Sequence, residues 1–159
     1  MSHSRIFQVS ENPITEENLI HESNYDENFV GQVADYVQAI PYKEKDTEDL
    51  EWLQNCVEGI EIDLEARTLT ITSKEEYFEK KFEAFKNIAD EISYFKMEDF
   101  INPSSHNKFQ DLQEAFNEEY SFYIDDNYEN IGLATLDTWV RNAEEDKPYY
   151  IGQVIDYHF

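Results

Sequence analysis

Between Ile60 and Phe95 the apolar residues change their spacing once, and that change limits the fold class more than any other feature of the chain. Ile60-Glu61-Ile62-Asp63-Leu64 and Leu69-Thr70-Ile71-Thr72 alternate with period two around Glu65-Ala66-Arg67-Thr68. That is the pattern of an antiparallel hairpin with one buried face. Ser73-Lys74-Glu75-Glu76 follows as a capping box, a helix-start signal. Behind it Phe78, Phe82, Phe85, Ala89, Ile92 and Phe95 recur at helical spacing for about six turns. A hairpin feeding a long amphipathic helix, without βαβ alternation, predicts an α+β domain with a largely antiparallel sheet and helices on one face. The helix over 74–95 is expected to be the spine on which the sheet packs, since burying each large ring is worth about 1.5–3 kcal/mol.

Shorter elements fill in the rest. Arg5 to Val9 reads as a first strand ended by Asn12-Pro13. Asp46 or Thr47 caps a helix with Glu48 and Asp49 in its first turn, Leu50, Leu53 and Val57 on one face, and Gly59 as its stop. Asn102-Pro103-Ser104 breaks the chain before a second helix carrying Phe109, Leu112 and Phe116. Tyr120 to Ile124 reads as a strand, Leu133 to Asn142 as a short helix, and Tyr149 to Phe159 as a final strand. The expectation is one domain over residues 1–159, with about five strands packed on the long helix plus shorter helices. Phe29-Val30-Gly31-Gln32-Val33-Ala34-Asp35-Tyr36 is echoed by Tyr150-Ile151-Gly152-Gln153-Val154-Ile155-Asp156-Tyr157. The echo suggests two similarly placed β segments with a glycine allowing close backbone approach. The first copy also fits a helical period, through Phe29, Val33, Tyr36 and Ile40.

Charge sets the function class. The chain holds 36 Asp and Glu against 12 Lys and Arg, a net −24, where solubility in a small domain needs a magnitude of only about 2–8. Residues 67–108 contain seven basic and eight acidic side chains, so −23 of the charge falls on the two ends. The dense stretches are Glu11 to Glu27, Glu44 to Glu65, and Asp111 to Asp146. Direct binding to nucleic acid or to an anionic membrane is disfavoured, because clustered Lys and Arg drive both contacts. The start of the chain lacks a signal-peptide pattern, no apolar run reaches the ~18 residues of a spanning helix, and Cys56 alone cannot form an internal disulfide. A cytoplasmic protein is expected.

No residue constellation announces catalysis. Cys56 lies on an apolar helix face without a base beside it, and His106 next to Ser104 and Ser105 fits a helix start better than a triad. The four histidines, His3, His21, His106 and His158, lack the paired spacing that brings two imidazoles to one ion, so no metal and no cofactor is expected. Asp125-x-Asn127-x-Glu129 starts like a calcium loop but has Asn130 in place of the turn glycine and Leu136 in place of the bidentate Glu. Gly31, Gly59, Gly132 and Gly152 are isolated, so there is no phosphate cradle.

The reading that remains is an acidic interaction or inhibitor protein. Carboxylates fixed on helices and loops can approximate the phosphates of duplex DNA, one charge per ~1.7 Å of axis, and so occupy the cationic groove of a DNA- or RNA-binding protein. In composition the chain resembles phage and plasmid antirestriction proteins and anti-CRISPR proteins, and that resemblance implies such a basic partner. The candidate partner-binding carboxylates are Asp46, Glu48, Asp49, Glu118, Glu119, Asp125, Asp126, Glu129, Glu144, Glu145 and Asp146. Tyr25, Tyr42, Trp52 and Tyr128 stand nearby in sequence as aromatic anchors. An immunity protein against a basic nuclease toxin shares the same charge logic. An uncatalogued small enzyme, or a housekeeping module with incidental acidity, is the alternative of another class.

Overall fold

The computed structural model describes residues 2–116 and 122–159. Its elements in chain order are β1 (His3–Ser10), β2 (Tyr36–Ala39), α1 (Thr47–Cys56), β3 (Ile60–Asp63), β4 (Thr68–Ile71), α2 (Lys74–Ser93), α3 (Met97–Ile101), α4 (Ser105–Glu114), β5 (Tyr123–Asp125), β6 (Leu133–Thr135), α5 (Leu136–Asn142) and β7 (Pro148–His158). Two 3-10 turns, Glu16–Asn18 and Glu22–Tyr25, lie between β1 and β2. The strands form one mixed sheet in the order β3-β4-β7-β1-β5-β6, and among the described residues every pair is antiparallel except β1 with β5.

The eleven residues of β7 organise this sheet. One edge pairs with β1; the other pairs with β4 at its start and with β2 at its end, so two short strands lie in line along it. Partway along, the register with β1 shifts between Phe7↔Val154 and Val9↔Ile151, which inserts an extra residue into β7. A bulge of this kind flips side-chain parity. It is why Val154 joins Ile151 on one face while Ile155 and Tyr157 occupy the other. Gln8 fills the bulge: its Oε1 accepts the Gln153 N–H at 3.0 Å and the Ile20 N–H at 3.2 Å, and its Nε2 donates to Asn18 O at 2.7 Å. A Cβ on residue 152 would meet that Oε1 at 2.3 Å, so a larger residue there would have to push the Gln8 carboxamide out of its place in the bulge.

The sheet is buried on both faces. On one, Leu50 and Leu53 of α1 and Leu136, Trp139 and Val140 of α5 pack on Phe7, Leu69, Ile124 and Ile151. On the other, Ile20, Tyr25, Phe29 and Ala34 cover Ile6, Ile155 and Tyr157, with Phe29 edge-to-face on Tyr157 at 5.2 Å. The acidic stretch after β1 therefore carries a second, smaller core, and the α-helices found on one face are matched by irregular chain on the other.

Four expectations need correction. Among the described residues the sheet has seven strands; β2 and β6, of four and three residues, are too short to stand out as alternation in the sequence. β6 also takes the first residues of the expected helix over 133–142. Thr135 ends it by accepting the Thr138 N–H at 3.4 Å, and α5 starts only at Leu136. The long helix is present over Lys74–Ser93, with Ser73 Oγ accepting the Glu76 N–H at 3.1 Å, yet none of its residues is buried. Its first two turns dock Tyr77 and Phe78 on the core. Beyond them Phe85 meets Phe116 at 5.3 Å, Phe95 meets Phe109 at 6.4 Å, and Phe82 is 60% exposed. The sheet packs on α1 and α5 instead. Finally, the echoed segments differ in backbone: Gly31 (φ +86°) makes a turn in which its N–H donates to Ala34 O at 2.7 Å, whereas Gly152 lies within extended β7.

Candidate functional site

The fold separates the candidate carboxylates into two groups. Asp46 is fully buried, and Arg67 grips it with Nη1 to Oδ1 at 3.2 Å and Nη2 to Oδ2 at 2.8 Å, the guanidinium lying 4.7 Å over the Tyr42 ring. Asp49 is buried beside Arg5, whose Nε donates to its Oδ1 at 2.6 Å. Burial raises the Asp49 pKa above the usual carboxylate range despite the opposing pull of Arg5. Asp126 is buried with its oxygens accepting the Ile131 N–H at 3.1 Å and the Gly132 N–H at 2.6 Å. Asp125 is half-buried and accepts the Tyr25 hydroxyl at 2.7 Å. Burial, then the adjacent Asp125 charge, pushes the Tyr25 phenol well above its ordinary value. These four tie loops and helix starts to the core and do not stand outward as free charges. Glu118 and Glu119 lie outside the described residues.

The other five are exposed: Glu48, Glu129, Glu144, Glu145 and Asp146. Glu129 accepts the Ser10 hydroxyl at 2.5 Å and the Glu11 N–H at 2.9 Å, while Lys147 Nζ donates to Glu11 at 2.8 Å and stands 3.6 Å from Glu144. Three stretches distant in sequence thus meet where β1 ends, around one lysine whose pKa is raised chiefly by its hydrogen bond to Glu11. Next to them Glu145 accepts the first N–H of α2, Lys74 N, at 2.6 Å. Glu48 stands on α1, in the first turn.

Along α2 runs an open groove of about 770 Å³, lined in part by Glu76, Phe78, Glu79, Phe82, Phe85 and Phe116. The cations beside it are engaged locally: Lys81 pairs with Asp137, and Arg141 lies 4.3 Å over the Phe78 ring. Tyr94, Met97, Phe100 and Ile101 extend the exposed apolar surface past the end of the helix.

One cluster was not legible from spacing. The register places His3 opposite His158, and Asp156 two residues back projects to the same side of β7. Asp156 Oδ1 lies 3.2 Å from His3 Nδ1 and Oδ2 lies 3.1 Å from His158 Nε2, with Arg5 paired to Oδ1. The Tyr36 ring stacks on His158 at 4.2 Å. The signal was absent because the two imidazoles, one near each end of the chain, are joined only by strand pairing. No described helix is long and apolar enough to cross a membrane. No family model matches the chain, and comparison with curated proteins and with solved structures returns no match.

Proposed function

We propose that this chain is an acidic interaction protein of the inhibitor type, whose surface carboxylates take the place of nucleic-acid phosphates in the cationic groove of a DNA- or RNA-binding protein. The observation that carries this reading is where the scarce cations go. Arg5 and Arg67, each with only 12% of its side chain exposed, are held by the inward carboxylates of Asp49, Asp156 and Asp46. Lys81, also largely covered, is held by Asp137. The outward surface therefore keeps a large share of the −24 charge. Within it Glu11, Glu129, Glu144 and Glu145 gather on adjoining loops, held by backbone and lysine contacts. Carboxylates held in fixed relation steer a basic partner and set its register. The Phe-lined groove along α2 adds apolar surface of the kind that supplies affinity once covered.

The test is the salt and charge dependence of binding to a partner cross-linked in cells and then purified. Affinity should fall as salt rises, since exposed pairs are screened over about 8–10 Å at physiological ionic strength, and the partner's nucleic acid should compete. Combined Glu129→Gln, Glu144→Gln and Glu145→Gln should slow association more than it speeds dissociation, whereas Glu83→Gln with Asp90→Asn on α2 should change little. An affinity insensitive to salt and to the triple variant, with nucleic acid still held by the partner in the complex, contradicts the proposal.

A further inference from the structure

We propose that His3, Asp156 and His158 form a binding site for one zinc-class divalent ion at the open end of the β1–β7 pair. Two imidazoles and one carboxylate are the donor set of many three-ligand zinc sites, whose fourth position is left to water or another ligand. Their ligand atoms all lie within 4.8 Å of one another. Asp156 Oδ2 stands 3.1 Å from His158 Nε2, close to the edge of a tetrahedron around zinc, about 3.3 Å for bonds of 2.0–2.1 Å, while His3 Nδ1 lies 3.2 Å from the other oxygen, Oδ1. An ion placed among them replaces the two carboxylate–imidazole contacts and the 3.4 Å contact of Arg5 Nη1 with His3 Nδ1 by three coordinate bonds.

The surroundings are those of a built site. The backbone behind it is closed by Ser2 N–H to Phe159 O at 3.1 Å and Phe159 N–H to Ser2 O at 2.9 Å. His158 is held by the stacked Tyr36 ring at 4.2 Å, and its side chain is 18% exposed. Arg5 engages Asp156 Oδ1, the oxygen that also faces His3, with its Nη1 3.4 Å from His3 Nδ1, and so fixes the carboxylate and leaves Oδ2 to His158. A ligating carboxylate is commonly anchored in this way by an outer partner. Asp49, on the other side of Arg5, offsets the guanidinium charge that would otherwise oppose a cation. The His3 side chain is 51% exposed, which gives solvent and a fourth ligand a route in. Imidazole nitrogens select zinc, cobalt, nickel or copper over calcium and magnesium, which prefer oxygen. The ion would join the first residues of β1 to the last of β7.

The experiment is titration of the chelator-stripped full chain, carrying no added histidines, with Zn²⁺ by calorimetry and with Co²⁺ by visible absorption. Expected are one tight equivalent per chain, intense visible bands for a low-symmetry Co²⁺ complex that Zn²⁺ removes, no competition from excess Mg²⁺ or Ca²⁺, and a melting temperature that rises with Zn²⁺. His3→Ala, at a half-exposed residue outside both cores, should melt as the parent does without metal. It should lose the Zn²⁺-dependent rise and more than the roughly 10–100-fold in affinity that loss of an outer partner alone costs. His158→Ala should do the same; if it fails to fold, the His3 variant decides. Several weak equivalents unchanged by His3→Ala, or no cobalt bands, would overturn the site and assign any binding to the dispersed acidic surface.

Discussion

The sheet with its two cores and the helical segment from Lys74 to Phe116 are both rich in aromatic residues, and they use them in opposite ways. In the sheet, Phe7, Phe122, Trp139 and Tyr157 are buried to 2% exposure or less. In the helical segment Phe82, Tyr94, Phe100 and Phe116 are all more than half exposed. The contrast comes from how each element acquires neighbours. A strand's side chains are placed against known partners by register, and the pleat sends alternate residues into a core on either face. A helical stripe has a direction but no built-in occupant, so it buries only what another element reaches. Here that is Tyr77 and Phe78 at the start of α2, where α5 supplies Asp137 to accept the Tyr77 hydroxyl at 2.8 Å.

Substitutions test the contrast. The largest loss is expected for Trp139→Ala, which empties a fully buried site against Tyr149, with ring centroids 5.0 Å apart, and should cost about 3–5 kcal/mol in denaturant unfolding. Arg67→Leu should cost a comparable ~3–5 kcal/mol, because it leaves the Asp46 carboxylate buried without its counter-charge and removes the Nη2 donor to Gly152 O at 3.1 Å. Adding Asp46→Leu should recover much of that loss, which a double-mutant cycle would show.

Next comes Tyr25→Phe, which deletes the hydrogen bond to Asp125 and should cost about 1.5–3 kcal/mol at neutral pH. The folded protein holds the Tyr25 proton more tightly than the unfolded chain does. This contribution is therefore complete below pH ~10, where the unfolded phenol also stays protonated. It is lost as pH rises further, at up to about 1.4 kcal/mol per pH unit. The stability gap between parent and variant should accordingly narrow in alkaline melts, and a gap that holds constant above pH ~10 would place the phenol outside the core.

In the helical segment the effects should shrink. Phe85→Ala should cost about 1 kcal/mol, the scale of one aromatic pair with Phe116. Phe82→Ala should stay within about 0.5 kcal/mol, as expected of an exposed position. The stripe alone would assign about 3–5 kcal/mol to each ring. Thermal melts of the two variants thus separate a packed spine from a partly solvated one.

How much was legible follows the same division. The hairpin β3–β4, the start of α2, the helix α1 and the strand β7 are all visible as local periodicity and cap chemistry. Asp46 has the residue type and position of a cap, yet its carboxylate bonds Arg67 and the Lys43 N–H rather than the helix, because a guanidinium brought in from the hairpin turn outcompetes the local amides. Charge counting also could not tell inward carboxylates from outward ones: Asp125 and Asp126 are adjacent, but the loop amides of Ile131 and Gly132 draw only the second fully inside. The meeting of Glu11, Glu129 and Glu144 around Lys147, and of His3 with His158, depends on long-range pairing that no local pattern encodes.

Native-state hydrogen exchange tests the division between the two regions most directly. Amides of β1 and β7 should exchange only through global unfolding, with a free energy that falls steeply with denaturant. Those of α2 beyond Lys81 and of α4 should exchange through local opening, at a lower free energy that depends little on denaturant. If both sets converge on one isotherm with the same free energy in water, the helical segment belongs to the core after all, and stability is shared across the whole molecule instead of being concentrated in the sheet.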